Sequence, residues 1–426
     1  MILSMIFAKD RTCPRTLVSF VTLILLLLTP RAYAAPEAMS VGDAKLDRLL
    51  ATSAPEHETF QAVLERACAI ERKEPEHFKE ILPALEQALA SWPDTMRHTT
   101  NSAGGRHSIN SIRHRALPGC FVLVRSLMFG NAAGLNAAEL RSILYAPVFS
   151  HLTRLETDVV NFYGDSITAL TESPSLTNLR HLEIKQANLD EDSVRSIIDS
   201  PNLARVTSLG LGGNHLRTEG IEPLVTSPAA GRLRHLGLFK NNLGFADVVA
   251  LANAPHLANL TSLDLSWNAL CGDHRKPYGI AAIEKLTKLE RLDIRAAAGS
   301  CRFEPEPLVE LLTSPALSNL REVDVSGHKG GDQLAIALAT SGPTGIERLR
   351  FRESQITAAG VEALATSDRF PGIKELDVSF NLFGDAGVAK LLDKKNLPSL
   401  ERLYMTRVGA TNKGIISLER ANVRDD

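Results

Sequence analysis

Leu233–Leu243 reads LRHLGLFKNNL, and Leu260–Leu270 reads LTSLDLSWNAL. Laid one over the other, the two stretches share leucine at the first, fourth, sixth and eleventh positions and asparagine at the ninth. The same phrase stands in VTSLGLGGNHL from Val206 and in IKELDVSFNLF from Ile373. Degenerate copies begin at Val124, Leu152, Leu179, Leu289, Leu320, Ile346 and Leu400, which makes eleven copies in all. Most successive starts are 27 residues apart, and none departs from that by more than four. A fixed period of this kind marks a stacked array in which each repeat is one structural unit.

Each position has a physical task. The apolar residues at positions four and six alternate with polar ones, so a short strand turns one side inward and the other to solvent. The ninth-position amides of Asn214, Asn241, Asn268 and Asn381 can bond backbone groups of neighbouring coils where the chain turns. Ala187, Ala297 and Ser354 hold that position in weaker copies, so the amide row is interrupted. The second half of a copy reads as a short helix with a stop. Gly220-Ile221 to Leu224 ends at Ser227-Pro228, and Leu308 to Leu312 ends at Ser314-Pro315. Proline cannot continue a helix, so Ser-Pro returns the chain toward the next strand.

With strand, asparagine turn and helix in that order, residues 119 to 420 resemble the leucine-rich-repeat family, and the helical second half is similar to its ribonuclease-inhibitor-like class. The resemblance implies an α/β horseshoe with parallel strands on the concave side and helices on the convex side. It covers about seven tenths of the chain. The motif is specific for fold and weakly specific for function.

The flanking segments read differently. Lys9, Arg11 and Arg15 precede an apolar run from Leu17 to Leu28, followed by Pro30 and a small-x-small site, Ala32-Tyr33-Ala34. That order predicts a secretory signal peptide over 1–34, with an apolar run too short to span a bilayer comfortably. Its removal would lower the net charge from -2 to -5, which speaks against a nucleic-acid binder. Residues 35–118 are expected to form a helical cap and a loop, followed by a repeat domain over 119–426. Phe60, Val63, Leu64 and Ala67 make one helical stripe; Phe78, Ile81, Leu82, Leu85 and Leu89 make a second. Solenoids need such a cover over the first coil's open core. The stretch from Trp92 to Pro118, with Arg97, His98, His107 and His114, reads as a solvated loop.

Cys68, Cys120, Cys271 and Cys301 would remain after cleavage, an even number that suits disulfides in an exported chain. Cys271 and Cys301 fall at nearly equivalent places in adjacent copies, so those two are expected to pair. That leaves Cys68 with Cys120.

In the last copies the second position runs Glu290, Arg321, Glu347, Lys374, Glu401 and the third runs Arg291, Glu322, Arg348, Glu375, Arg402. Strands about 4.8 Å apart would place opposite charges side by side, a self-neutralising ladder. Left over on the concave side are Phe239, Lys240, Asp264, Trp267, Arg295, Arg350, Arg352 and Tyr404. Aromatic and arginine side chains dominate binding hot spots, so these eight are the expected partner-binding residues. No Gly-rich phosphate loop, nucleophile elbow or metalloprotease helix occurs, and Cys271 and His274 lack further ligands nearby. No catalytic residue, metal or cofactor is expected. The chain reads as an exported, non-catalytic binding protein for a macromolecular, most naturally protein, partner. The alternatives are a regulator of the Ran-GTPase-activating kind, a secreted effector, or a purely structural surface protein.

Overall fold

In the computed structural model, residues 40–51, 55–100, 119–129, 136–158, 164–270, 279–296, 302–393 and 395–411 are described, with the side chains of 98–100 excepted. Twelve strands lie side by side in chain order, every neighbouring pair parallel. They are β1 (His98–Thr100), β2 (Ser126–Phe129), β3 (Arg154–Asp158), β4 (His181–Lys185), β5 (Ser208–Gly210) and β6 (His235–Gly237), then β7 (Ser262–Asp264), β8 (Arg291–Asp293), β9 (Glu322–Asp324), β10 (Arg348–Arg350), β11 (Glu375–Asp377) and β12 (Arg402–Tyr404). From β2 onward each strand begins at the third position of a copy. Like positions pair with like: His235 lies opposite Ser208 and Ser262, and Leu236 opposite Leu209 and Leu263.

The fourth position of every copy, from Leu127 to Leu403, is buried, whereas most third and fifth positions are partly open. Helices carry the other side of the array. They include α4 (Ala137–Leu144), α5 (Asp165–Thr171), α6 (Glu191–Asp199), α7 (Arg217–Thr226), α8 (Phe245–Asn253) and α9 (Pro305–Thr313), followed by α10 (Gly331–Ser341), α11 (Ala358–Thr366) and α12 (Gly384–Leu391). The copy from Leu260 has a 3-10 turn, Ile280–Lys285, where its neighbours have a helix. This is the α/β horseshoe the repeat predicts, and one continuous apolar core runs through it from Val41 to Val408.

The Ser-Pro stops act as expected and do more. Ser227 ends α7, and its hydroxyl accepts from Ala229 N–H to start the following 3-10 turn. Its counterparts reach back one coil: Ser173 Oγ donates to the Leu144 carbonyl at 2.6 Å, and Ser200 Oγ to that of Thr171 at 2.5 Å. Helix ending and coil stacking are therefore set by one residue.

Both amphipathic stripes form helices, α2 (His57–Lys73) and α3 (Pro75–Leu89), preceded by α1 (Ala44–Leu50). Phe60, Leu64, Leu85 and Leu89 are fully buried in the common core. Cys68 of α2 is disulfide-bonded to Cys120, with Cα atoms 5.2 Å apart. Beside the bridge, the Glu71 carboxylate accepts from Gly119 N–H at 2.7 Å and Cys120 N–H at 2.9 Å. Cys271 and Cys301, expected to pair, lie outside the described residues.

The stretch read as a solvated loop differs at its start. β1 pairs with β2, adding a strand ahead of the first recognisable copy. Arg97 is buried, and its guanidinium donates to the carbonyls of Leu89 and Leu123. Burial holds its pKa down to about 10. The Leu89 carbonyl also accepts from Trp92 N–H at 3.0 Å, and the guanidinium ties this end of α3 to the turn before β2. His107 and His114 lie outside the described residues. Among the described residues no helix is long and apolar enough to cross a membrane.

Candidate binding surface

The ninth-position amides work as a shared brace between coils. Asn268 Oδ1 accepts from the backbone N–H groups of Asn241 (2.8 Å) and Leu243 (3.0 Å) in the preceding coil. Its Nδ2 donates to Leu238 and Leu265 carbonyls. Asn214, Asn241 and Asn381 repeat the pattern. In the copy from Leu320 the ninth residue is His328, and its imidazole copies the amide. Nε2 donates to the Ile294 carbonyl at 2.7 Å while Nδ1 accepts from Phe303 N–H at 3.2 Å. Burial, aided by the Arg302 charge, pulls its pKa down to about 4, so the ring is neutral.

One step before the asparagine, the backbone turns left-handed at nearly every coil. Gln186, Lys240, Trp267, Glu353, Phe380 and Arg407 have φ between 50° and 61°, and Gly213 and Gly327 hold the same place. L-residues resist that region, yet the large eighth-position side chains sit there. The turn leaves Trp267 about half exposed.

The charge ladder forms in the last five coils. Glu322 lies between Arg291 (3.1 Å) and Arg348, and Glu375 between Arg348 (3.9 Å) and Arg402 (2.8 Å). A parallel row joins Arg321 to Glu347 at 3.1 Å and Lys374 to Glu347 at 2.7 Å. Glu375 also receives Arg350.

The eight expected partner-binding residues fall into three environments. Phe239 lies flat on the preceding coil: a Cβ on Gly212 would come within 1.9 Å of its ring. Lys240 beside it is exposed. Asp264, Trp267 and Arg295 come together in adjacent coils, with Trp267 N–H donating to the Arg295 carbonyl at 2.8 Å. Arg295 also binds Asp293 at 2.7 Å and Asp324 at 3.4 Å. Burial, with the flanking carboxylates of Asp264 and Asp324, pushes Asp293 up to about 7. Arg295 therefore neutralises an in-register aspartate row. At the C-terminal end Arg350 is engaged by Glu375, and Tyr404 lies on β12 next to Asp377 of β11. Arg352 is exposed and stacks over Phe380 at 4.1 Å, with Arg407 at 5.3 Å from the same ring. Phe380, together with exposed Leu382 and Arg302, lines a shallow recess of about 350 Å³.

Sequence reasoning also passed over Glu156, His181 and Glu183, whose ligand atoms lie within 4.8 Å of one another. The signal was available, because Glu156 and Glu183 occupy the same position in consecutive copies. Arg154 pairs with Glu156, and Lys185 binds Glu183 at 2.7 Å. Burial raises the Glu183 pKa, but the bonds from His181 and Lys185 outweigh it and leave the carboxyl at about 2. The carboxylates thus already have cations, and the trio belongs to the ion-pair network.

Several solved structures are similar in part. An internalin from Listeria monocytogenes is 18% identical with a TM-score of 0.38; the match covers 61% of this chain and 64% of that one. The yeast Rad7–Elc1 complex matches at 15% identity and TM-score 0.43, over 78% of this chain and 90% of that one. LegL7 from Legionella pneumophila, a leucine-rich-repeat-containing protein, matches at 16% identity and TM-score 0.43, over 77% and 98%. No curated protein is significantly similar in sequence. The Leucine Rich repeat family model matches residues 256–271 and 373–392. Those segments hold the asparagine turns of Asn268 and Asn381, and within them the chain matches a leucine-rich repeat.

Proposed function

We propose that the chain is an exported, non-catalytic binding protein of the ribonuclease-inhibitor-like kind that holds a protein partner on its concave face. The observation that carries this reading is the continuous parallel sheet with a side-chain surface fixed by register. Twelve strands at about 4.8 Å give an arc of about 50 Å, ample for a standard interface of about 800 Å² per partner. Exposed Trp267 and the Arg352–Phe380 stack supply rigid aromatic and guanidinium contacts. Arg295 and Arg350, tied to carboxylates, preset the surface more than they offer free charge.

Affinity capture tests the reading, with the exported protein as bait and Trp267→Ala and Arg352→Glu variants beside it. The expected result is a protein captured by the wild type and lost from at least one variant. An unchanged catch from both variants overturns the concave site. N-terminal sequencing tests export: a mature start at Ala35 is expected. An intact Met1 in cytosolic protein would point instead to a GTPase regulator.

A further inference from the structure

The ladder's alternation stops abruptly toward the N-terminal side, and what replaces it is one-sided. From β3 to β8 the third position reads Arg154, His181, Ser208, His235, Ser262, Arg291. The second position of the same copies reads Thr153, Arg180, Thr207, Arg234, Thr261 before the first acid, Glu290. Register places these residues in two adjoining rows up to about 24 Å long, made of arginine, histidine and hydroxyl side chains, with Glu290 as the carboxylate at their end. They border a depression of about 510 Å³ lined by Arg180, His181, Ser208, His235, Ser262 and Arg291 among others.

Several of these cations are already engaged. Arg154 pairs with Glu156, Arg291 with Glu322, and His181 Nε2 stands 3.7 Å from Glu183. Arg180 is exposed and forms no ion pair among the described residues, and Arg234 spends its guanidinium on the carbonyls of its own turn. His235 registers the local field. Burial, then the charges of Arg291 and His181, hold its pKa below the ordinary histidine value, and only Glu290 opposes them. The Arg291 and His181 charges that add to burial in opposing its protonation mark a net positive field at this point of the row.

We propose that these two rows dock an acidic segment of the protein partner, with carboxylates over Arg180–His181, His235 and Arg291. The proposal rests on the concave-face reading and refines it. Spacing decides the ligand class. These three points recur every two strands, about 10 Å apart, too far for one tetrahedral oxyanion and suited to several charges on one chain. The neighbouring fifth-position row holds Glu156, Glu183, Asp264 and Asp293. Those acids would repel a uniformly charged nucleic acid or sulfated glycan but tolerate a polypeptide of mixed charge.

The test uses the full exported chain and a fluorescent peptide of alternating glutamate and serine, with binding read by anisotropy at low salt. Arg180→Glu combined with His235→Glu should weaken binding by at least about tenfold. Lys390→Glu, on α12 on the helical side of the array, should leave it unchanged, and circular dichroism checks that all variants fold. Saturating peptide should also raise the His235 titration followed by NMR. Unchanged affinity in the double variant overturns the proposal, as does tighter binding of heparin or single-stranded DNA at equal salt. A captured natural partner that survives Arg180→Glu/His235→Glu but is lost with Trp267→Ala overturns this docking row and leaves the concave-face reading standing.

Discussion

His328 offers a quantitative test because its ring does the work of an amide while being able to take a proton. In the neutral form Nδ1 accepts from Phe303 N–H and Nε2 donates to Ile294. Protonation puts a second N–H where Nδ1 receives its bond, so the charged ring cannot stay in place. The folded pKa is about 4 against an unfolded value of 6.5. Between those values the unfolded chain binds the proton and the folded chain does not, so stability falls as pH drops through that window. A shift of this size corresponds to about 3 kcal/mol, fully lost only below pH 4. His328→Asn supplies the same acceptor and donor without a titrating group. It also removes ring contact with Phe303, whose centroid lies 5.1 Å away, and this cost is independent of pH. The difference in thermal midpoint between wild type and variant should therefore stay constant near neutral pH and move steadily in favour of His328→Asn under acid. An NMR titration of the His328 ring gives the pKa directly. A difference flat across the window, or a ring that titrates near 6.5, would refute the assignment of a buried, neutral amide mimic.

Three further outcomes follow from the same stacking. Asn268→Ala strips acceptors from Asn241 and Leu243 and donors from Leu238 and Leu265, so it should cost about 3 kcal/mol. Hydrogen exchange should show the loss first at the Asn241 and Leu243 amides. Cleaving Cys68–Cys120 frees a segment of 52 residues and should destabilise the N-terminal helices by up to about 4 kcal/mol. Limited proteolysis with and without reductant measures it, and identical patterns would contradict the bridge's role. Glu375→Gln leaves Arg348, Arg350 and Arg402 facing a neutral amide, a loss of about 2 kcal/mol once their partial exposure is allowed for. Urea titrations should show that deficit shrinking as salt is raised.

The strands were legible because a copy's third position fixes both register and face, and all eleven copies obey it. Asn268 and its equivalents were legible for the same reason, and so was the alternation around Glu322 and Glu375. What escaped depends on neighbours 27 residues away or on a change of chemistry within a fixed slot. Phe239 reads as an outward aromatic until Gly212, in the coil before, gives its ring a bed. Counting eight residues on from Leu320 lands on His328, but only the fold shows that its two nitrogens span the amide's partners. Arg97 and β1 lie where no leucine phrase exists, because a strand at the edge of the cap needs only one sequence neighbour to pair with. Of the eight surface residues, the sequence could place each on the sheet but not foresee which would be engaged: Arg350 and Arg295 have partners two to twenty-nine residues away in the chain.

Because each asparagine amide closes the turn of the coil before it, no coil owns all of its own fastenings. Removing one coil would leave its predecessor open, and loss should run along the array in blocks instead of singly. The row is continuous through Asn214, Asn241 and Asn268, meets an alanine at Ala297, then passes to the imidazole of His328 and the hydroxyl of Ser354 before Asn381 resumes it. Pulled from either end, the molecule should part at that central stretch, yielding two segments that come undone at separate forces.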